Sequence, residues 1–179
     1  GLFGIVEEQG SIESLSVRGV VSVSDSADTT TGGIVGVNHG TLINCQFTGV
    51  VTGDSEVGGI VGRNESEGTI DHSTARAIVT GKSSTGGIAG YNLGAITGCT
   101  NVGSINTEYP EASLDTDGFT AKMVDYINNK MAAADNDATN SVTNVATDTG
   151  GIAGRSSGMI LTSVNTGTIG YEHIGYNVG

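Results

Sequence analysis

Gly32-Gly33-Ile34-Val35-Gly36-Val37-Asn38-His39-Gly40-Thr41-Leu42-Ile43-Asn44-Cys45 is the stretch that decides the fold, because the chain repeats it. Later copies begin Gly58-Gly59-Ile60-Val61-Gly62-Arg63-Asn64, Gly86-Gly87-Ile88-Ala89-Gly90-Tyr91-Asn92 and Gly150-Gly151-Ile152-Ala153-Gly154-Arg155-Ser156, and Gly1-Leu2-Phe3-Gly4-Ile5 is a fifth copy entered one glycine late. The last glycines of successive copies, Gly4, Gly36, Gly62, Gly90 and Gly154, are 32, 26, 28 and 64 residues apart. Self-similarity at such a period marks a solenoid, and the longest step is one repeat plus an insertion.

Aligned on the next glycine (Gly10, Gly40, Gly68, Gly94, Gly158), the copies share columns. Ile12, Leu42, Ile70, Ile96 and Ile160 form an aliphatic column, Leu15, Cys45, Ser73, Cys99 and Ser163 a mostly small one, and Val21, Val51, Val79, Ile105 and Ile169 a β-branched one. Gly19, Gly49, Ala77, Gly103 and Gly167 read as a corner. Short β-branched runs punctuated by Gly, Asn, Asp and Ser predict about three strands per repeat.

A repeat of this size cannot bury an apolar face alone, so copies must stack, like on like, about 4.8 Å apart. The expected fold is all-β: a right-handed parallel β-helix (β-solenoid) of about five coils, starting near residues 1, 32, 58, 86 and 150, and spanning 1–179 as a single domain. Right-handedness follows from the bias of parallel crossovers. Ile34, Ile60, Ile88 and Ile152 should form one internal ladder under Leu2, and Asn38, Asn64 and Asn92 a ladder of side-chain amides in left-handed backbone, broken by Ser156. Segments 24–31, 53–56 and 81–84 read as loops. Residues 106–149 are the insertion, with an amphipathic helix expected at about 118–134, because Phe119, Met123, Ile127 and Met131 recur every four residues beside Val124. Its stripe either packs back on an outer face or is offered to a partner.

Thirty glycines, one proline and no tryptophan suit a thin interior filled by stacked Ile and Val. Seven Lys and Arg against nineteen Asp and Glu give a net charge of −12, which argues against nucleic acid and anionic membranes as partners. No apolar run is long enough to cross a membrane as a helix. The chain ends on Val178-Gly179, which matches Val57-Gly58 before a motif copy, so it reads as a piece of a longer repeat protein.

The sequence has no phosphate-binding loop of the form Gly-x-x-x-x-Gly-Lys-Ser/Thr and no Cys-x-x-Cys. His39, His72 and His173 fall in different columns. Asp71 stands between Ile43 and Thr97 in its column, and Arg63 and Arg155 are separated by Tyr91, so no stack of acids is expected. Asp135-Asn136-Asp137 lacks the remainder of a calcium loop. Cys45 and Cys99 share a column with Ser73 between them, which puts them too far apart for a disulfide and predicts two buried free thiols. No catalytic, cofactor-binding or metal-binding residue is assigned.

The recurring Gly-Gly-Ile-Val/Ala-Gly-x-Asn-x-Gly followed by an aliphatic, a small residue and Gly-x-Val/Ile resembles the GLUG-motif repeats of bacterial surface proteins, including immunoglobulin A peptidases and adhesin-like proteins. The resemblance covers nearly all of the chain outside 106–149. It implies a non-catalytic repeat segment of a secreted or cell-wall-attached protein, acting as stalk, spacer or adhesion surface. The peptidase activity of such relatives belongs to a separate His-Glu-x-x-His domain, a motif this sequence lacks. A carbohydrate-active β-helix enzyme and an accessory domain of a surface peptidase are the rival readings. The expected partners are a host glycoprotein or glycan, neighbouring domains of a longer chain, and, through open strand edges, a second copy end to end.

Overall fold

The computed structural model describes residues 1–23, 29–107, 146–170 and 174–178. The expected helix at 118–134 and His173 lie outside them. The described residues form a parallel β-solenoid of four sheets, with strands laid down coil by coil.

The first coil contains β1 (Phe3–Val6), β2 (Ser11–Glu13), β3 (Ser16–Ser22) and β4 (Thr30–Gly32). The second contains β5 (Val35–Asn38), β6 (Thr41–Ile43), β7 (Gln46–Thr52) and β8 (Ser55–Gly58), and the third β9 (Val61–Asn64), β10 (Thr69–Asp71), β11 (Thr74–Thr80) and β12 (Ser83–Gly86). The fourth runs through β13 (Ala89–Asn92), β14 (Ala95–Thr97), β15 (Thr100–Asn101) and β16 (Ser104–Ile105) to β17 (Ala146–Gly150). The last holds β18 (Ala153–Ser156), β19 (Met159–Leu161), β20 (Val164–Asn165) and β21 (Ile174–Val178).

Each sheet collects one strand per coil. The first sheet is β1-β5-β9-β13-β18, the second β2-β6-β10-β14-β19, the third β3-β7-β11-β15-β20 with β16 also on β11, and the fourth β4-β8-β12-β17-β21. Five rungs per sheet enclose about four full turns. All the pairings are parallel, and the columns of the alignment are the registers of the ladders: Ile12, Leu42, Ile70, Ile96 and Ile160 stack in sequence.

Each coil therefore has four strands rather than three. The fourth sheet, Thr30–Gly32, Ser55–Gly58 and Ser83–Gly86, begins inside the segments expected to be loops, 24–31, 53–56 and 81–84, and runs on into the motif glycines. These segments are held in strand form by the ladder above and below, so tertiary pairing overrides local propensity. The expected corner at Gly19, Gly49 and Ala77 is not a corner either, since β3, β7 and β11 run through it.

The motif glycines are required by close approach. The three glycines of a copy leave no space for a Cβ, and what fills the space is mostly backbone. At Gly58 it is the Val61 carbonyl, at Gly59 the Gly87 carbonyl of the next coil, and at Gly90 the main chain of Glu56 and Val57. The first and fourth sheets meet backbone to backbone there, which pinches the cross-section. The wider part is filled by Ile34, Ile60, Ile88, Leu42, Ile70, Ile96 and Phe47, all fully buried. Ile34 N donates to Ile60 O at 2.9 Å, Ile60 N to Ile88 O at 3.0 Å and Ile88 N to Ile152 O at 2.8 Å, so the isoleucine ladder holds. Leu2 does not cap it: at 60% exposure it lies on the terminal rung with Phe3 and Ile5, and Met159, Ile160, Leu161 and Val164 are similarly exposed at the other end.

Turn lengths differ by corner. The corner between the second and third sheets has two residues in every coil, as does that between the fourth and first. The corner between the third and fourth sheets ranges from two residues, Gly53-Asp54, to residues 106–145. After that long excursion β17 still pairs in register with β12, Ser83 opposite Thr147 and Thr85 opposite Thr149.

Candidate functional site

The polar interior is a set of ladders. Asn38 Nδ2 donates to Asn64 Oδ1 at 2.8 Å, Asn64 Nδ2 to Asn92 Oδ1 at 2.8 Å and Asn92 Nδ2 to Ser156 Oγ at 3.1 Å. Ser156 thus extends the ladder through its hydroxyl instead of breaking it. The ladder asparagines do not have left-handed backbone. That conformation falls instead on other columns at the turns: Ser14, Asn44, His72 and Thr162 in one, Glu56, Ser84 and Asp148 in another. Asn38 also bridges its own turn, accepting from Gly40 N at 3.2 Å and donating to Gly40 O at 3.1 Å.

Sequence reasoning missed a second ladder, in which Asn101 Nδ2 donates to Asn165 Oδ1 at 2.7 Å. The signal was present: both precede a glycine by two residues, as Asn38 and Asn92 do. The cysteines belong to a third column. Cys45 N donates to Ser73 Oγ at 3.1 Å, Ser73 N to Cys99 Sγ at 3.4 Å and Cys99 N to Ser163 Oγ at 3.2 Å. Both thiols are free and buried.

Burial pushes the Cys99 thiol up to about 11 from an ordinary 9.0. Between those values the unfolded chain has lost a proton that the folded chain keeps, so rising pH favours unfolding. The urea midpoint should fall between about pH 9 and 11. Cys99→Ser should be tolerated, since Ser73 and Ser163 fill the same column, and should flatten that part of the decline. An unchanged slope would rule the thiol out as its source.

Outward side chains vary from coil to coil. On the first sheet the outer column reads Ile5, Val37, Arg63, Tyr91, Arg155. The Tyr91 ring lies between two guanidiniums, with Arg63 Cζ 5.0 Å and Arg155 Cζ 5.5 Å from its centroid. Arg63 also binds Glu56 at 2.7 Å and Glu65 at 2.6 Å. Partial burial opposes its charge, but the two carboxylates outweigh this and hold its pKa above the ordinary value. Beside it, Thr29, Thr30, Ser55, Glu56 and Arg63 line a concavity of about 290 Å³. Both faces of Tyr91 are covered, so this row offers a sugar no free aromatic platform. What it offers is hydroxyls, an Arg63–Glu56–Glu65 cluster with one acid in excess, and the guanidinium of Arg155.

The other singled-out residues stay apart. His39 Nδ1 is 4.0 Å from Glu67, and His72 Nδ1 is 2.9 Å from Asp71. Asp71 stands in register between Ile43 and Thr97. Among the described residues no three of His, Cys, Asp and Glu gather closely enough to hold a metal ion.

Comparison with known proteins gives two matches. Residues 53–80 match the model of the GLUG motif. A 75-residue stretch is 36% identical to Halomucin of Haloquadratum walsbyi (strain DSM 16790 / HBSQ001), covering 42% of this chain and 1% of the length of that protein. No solved structure matches. The part of the chain similar to the GLUG motif, residues 53–80, runs from the turn before β8 to the end of β11.

Proposed function

We propose that this chain is a non-catalytic repeat segment of a secreted or cell-surface protein, serving as a spacer whose outer face can be adapted for binding. The observation that carries the proposal is the contrast between inside and outside. The inward columns of Ile34, Ile60, Ile88 and Ile152 and of Leu42, Ile70, Ile96 and Ile160 stay aliphatic throughout, whereas the outer column of the first sheet passes from Ile5 and Val37 to Arg63, Tyr91 and Arg155. Aliphatic ladders that persist under a varying surface suit a scaffold, because each repeat contacts only its neighbours and length can grow by added coils. The similarity to a 1% portion of Halomucin supports the idea that such coils are minor parts of very long chains. A host glycoprotein or glycan is the partner class we favour for the binding face, and neighbouring coils of a longer chain are the partners we favour for the exposed terminal rungs.

Incubation of the purified chain with acidic and neutral polysaccharides tests this reading. We expect no reducing ends and no unsaturated products. Turnover of any substrate would overturn the proposal in favour of the carbohydrate-active reading. Saturable glycan binding that is lost in Arg155→Ala would assign the binding role to the first sheet. Absence of binding would leave the spacer role.

A further inference from the structure

Between its first two rungs the fourth sheet slips by one residue. Thr30 pairs with Ser55 but Thr31 pairs with Val57, so Glu56 of β8 has no counterpart on β4. One coil further on the count is even, with Ser55 opposite Ser83 and Val57 opposite Thr85. A bulge of this kind leaves the extra residue unpaired in the ladder and re-aims its side chain. The concavity of about 290 Å³ lined by Thr29, Thr30, Ser55, Glu56 and Arg63 lies at this slip, so the residue that β4 lacks accounts for the hollow beside Glu56.

The charged groups of the hollow are held in place before any ligand arrives. Arg63 Nη1 donates to Glu56 Oε1 at 2.7 Å, Arg63 Nε donates to Glu65 Oε1 at 2.6 Å, and the Tyr91 ring centroid lies 5.0 Å from Arg63 Cζ. A guanidinium has five N–H donors and a carboxylate two oxygens, so these bonds exhaust neither group. The side chains of Arg63 and Glu56 remain 31% and 20% exposed. A donor and an acceptor therefore stand side by side, which two adjacent hydroxyls of a sugar ring complement, one accepting and the other donating. Thr30 and Ser55 add hydroxyls that can do either. One arginine against two glutamates leaves a negative charge in excess, which works against an anionic ligand. The volume lies at the lower bound of ligand pockets, roughly 300–1,000 Å³, and suits one ring rather than a length of polymer.

We propose that this hollow is a binding site for a single neutral sugar residue, whose adjacent hydroxyls bridge Arg63 and Glu56. It rests on the reading of a glycan as the partner class, and places the contact two coils away from Arg155.

Titration of the full chain with methyl α-mannoside, methyl α-fucoside and methyl β-galactoside, followed by two-dimensional amide NMR, tests the site. We expect at least one of the three to give saturable shifts of the Ser55, Glu56 and Arg63 amides. Affinity should fall about tenfold or more in Glu56→Gln, which keeps the shape and gives up the charge-assisted bond. Ser55→Leu, which fills the hollow, should abolish the shifts. Cys45 and Cys99 are buried and free, and their failure to react with a thiol reagent shows that each variant is folded. Shifts from none of the three sugars, or equal affinity in Glu56→Gln, would overturn the proposal. Tighter binding of N-acetylneuraminic acid or of butylammonium at the same amides would also overturn it, by making the hollow a site for an anion or a cation. Sugar binding that Arg155→Ala removes and Glu56→Gln leaves intact would overturn this site while sparing the wider glycan reading.

Discussion

Replacing Asn64 by leucine should lower the unfolding free energy by about 3–5 kcal/mol, although the two side chains have nearly the same shape. Asn64 is completely buried at the centre of its ladder. It accepts from Asn38 and donates to Asn92 Oδ1, both at 2.8 Å, and donates to Gly68 O at 3.1 Å. Leucine removes these bonds, together with a longer one of 3.4 Å from Nδ2 to Ala95 O, and strands the partners in an interior without competing water. Each net hydrogen bond contributes about 1 kcal/mol, and each buried group left unpaired adds a cost of about 1–3 kcal/mol. Loss at a middle rung also separates Asn38 from Asn92, so the penalty should exceed that of removing the end hydroxyl in Ser156→Ala. Urea unfolding followed by circular dichroism measures both. A loss under about 1 kcal/mol for Asn64→Leu would mean that the ladder contributes little beyond filling space.

The second large effect is steric. Gly90→Ala should cost about 3 kcal/mol or more, because the added methyl would stand against the main chain of Glu56 and Val57 rather than against a movable side chain. Relief would require the first and fourth sheets to separate, and with them the pairing of every coil nearby. Gly19→Ala is the matched control: a methyl there meets nothing within 4 Å, and the column already holds Ala77. Its stability should be unchanged or slightly raised, since alanine restricts the unfolded chain. Equal losses in the two variants would show that glycine serves backbone conformation here and not close approach.

Much of this architecture was legible because the repeats expose it. A residue that recurs at the same place in five copies reports its own stacking, so the register of Ile70 between Leu42 and Ile96, and of Tyr91 between Arg63 and Arg155, could be written down from the letters alone. The fourth sheet was hidden because Ser55–Gly58 and Ser83–Gly86 look like turns to any rule based on side-chain preference. Their strand form depends on neighbours nearly thirty residues away. The left-handed positions were also misplaced. Asparagine is the usual occupant, yet here Glu56, His72 and Thr162 adopt that conformation, while Asn38, Asn64 and Asn92 spend their amides on the ladder. The outer row around Tyr91 was read as a break between two arginines, but the ring and both guanidiniums form one stack.

The uneven corners have an evolutionary and practical consequence. Two of the four bends are fixed at two residues, while the bend between the third and fourth sheets holds anything from Gly53-Asp54 to the whole of 106–145 and still returns the chain to its place. New sequence can therefore enter the molecule at one address without renegotiating the rest. A foreign peptide grafted between Gly81 and Lys82 would be displayed on the flank of an otherwise unaltered rod.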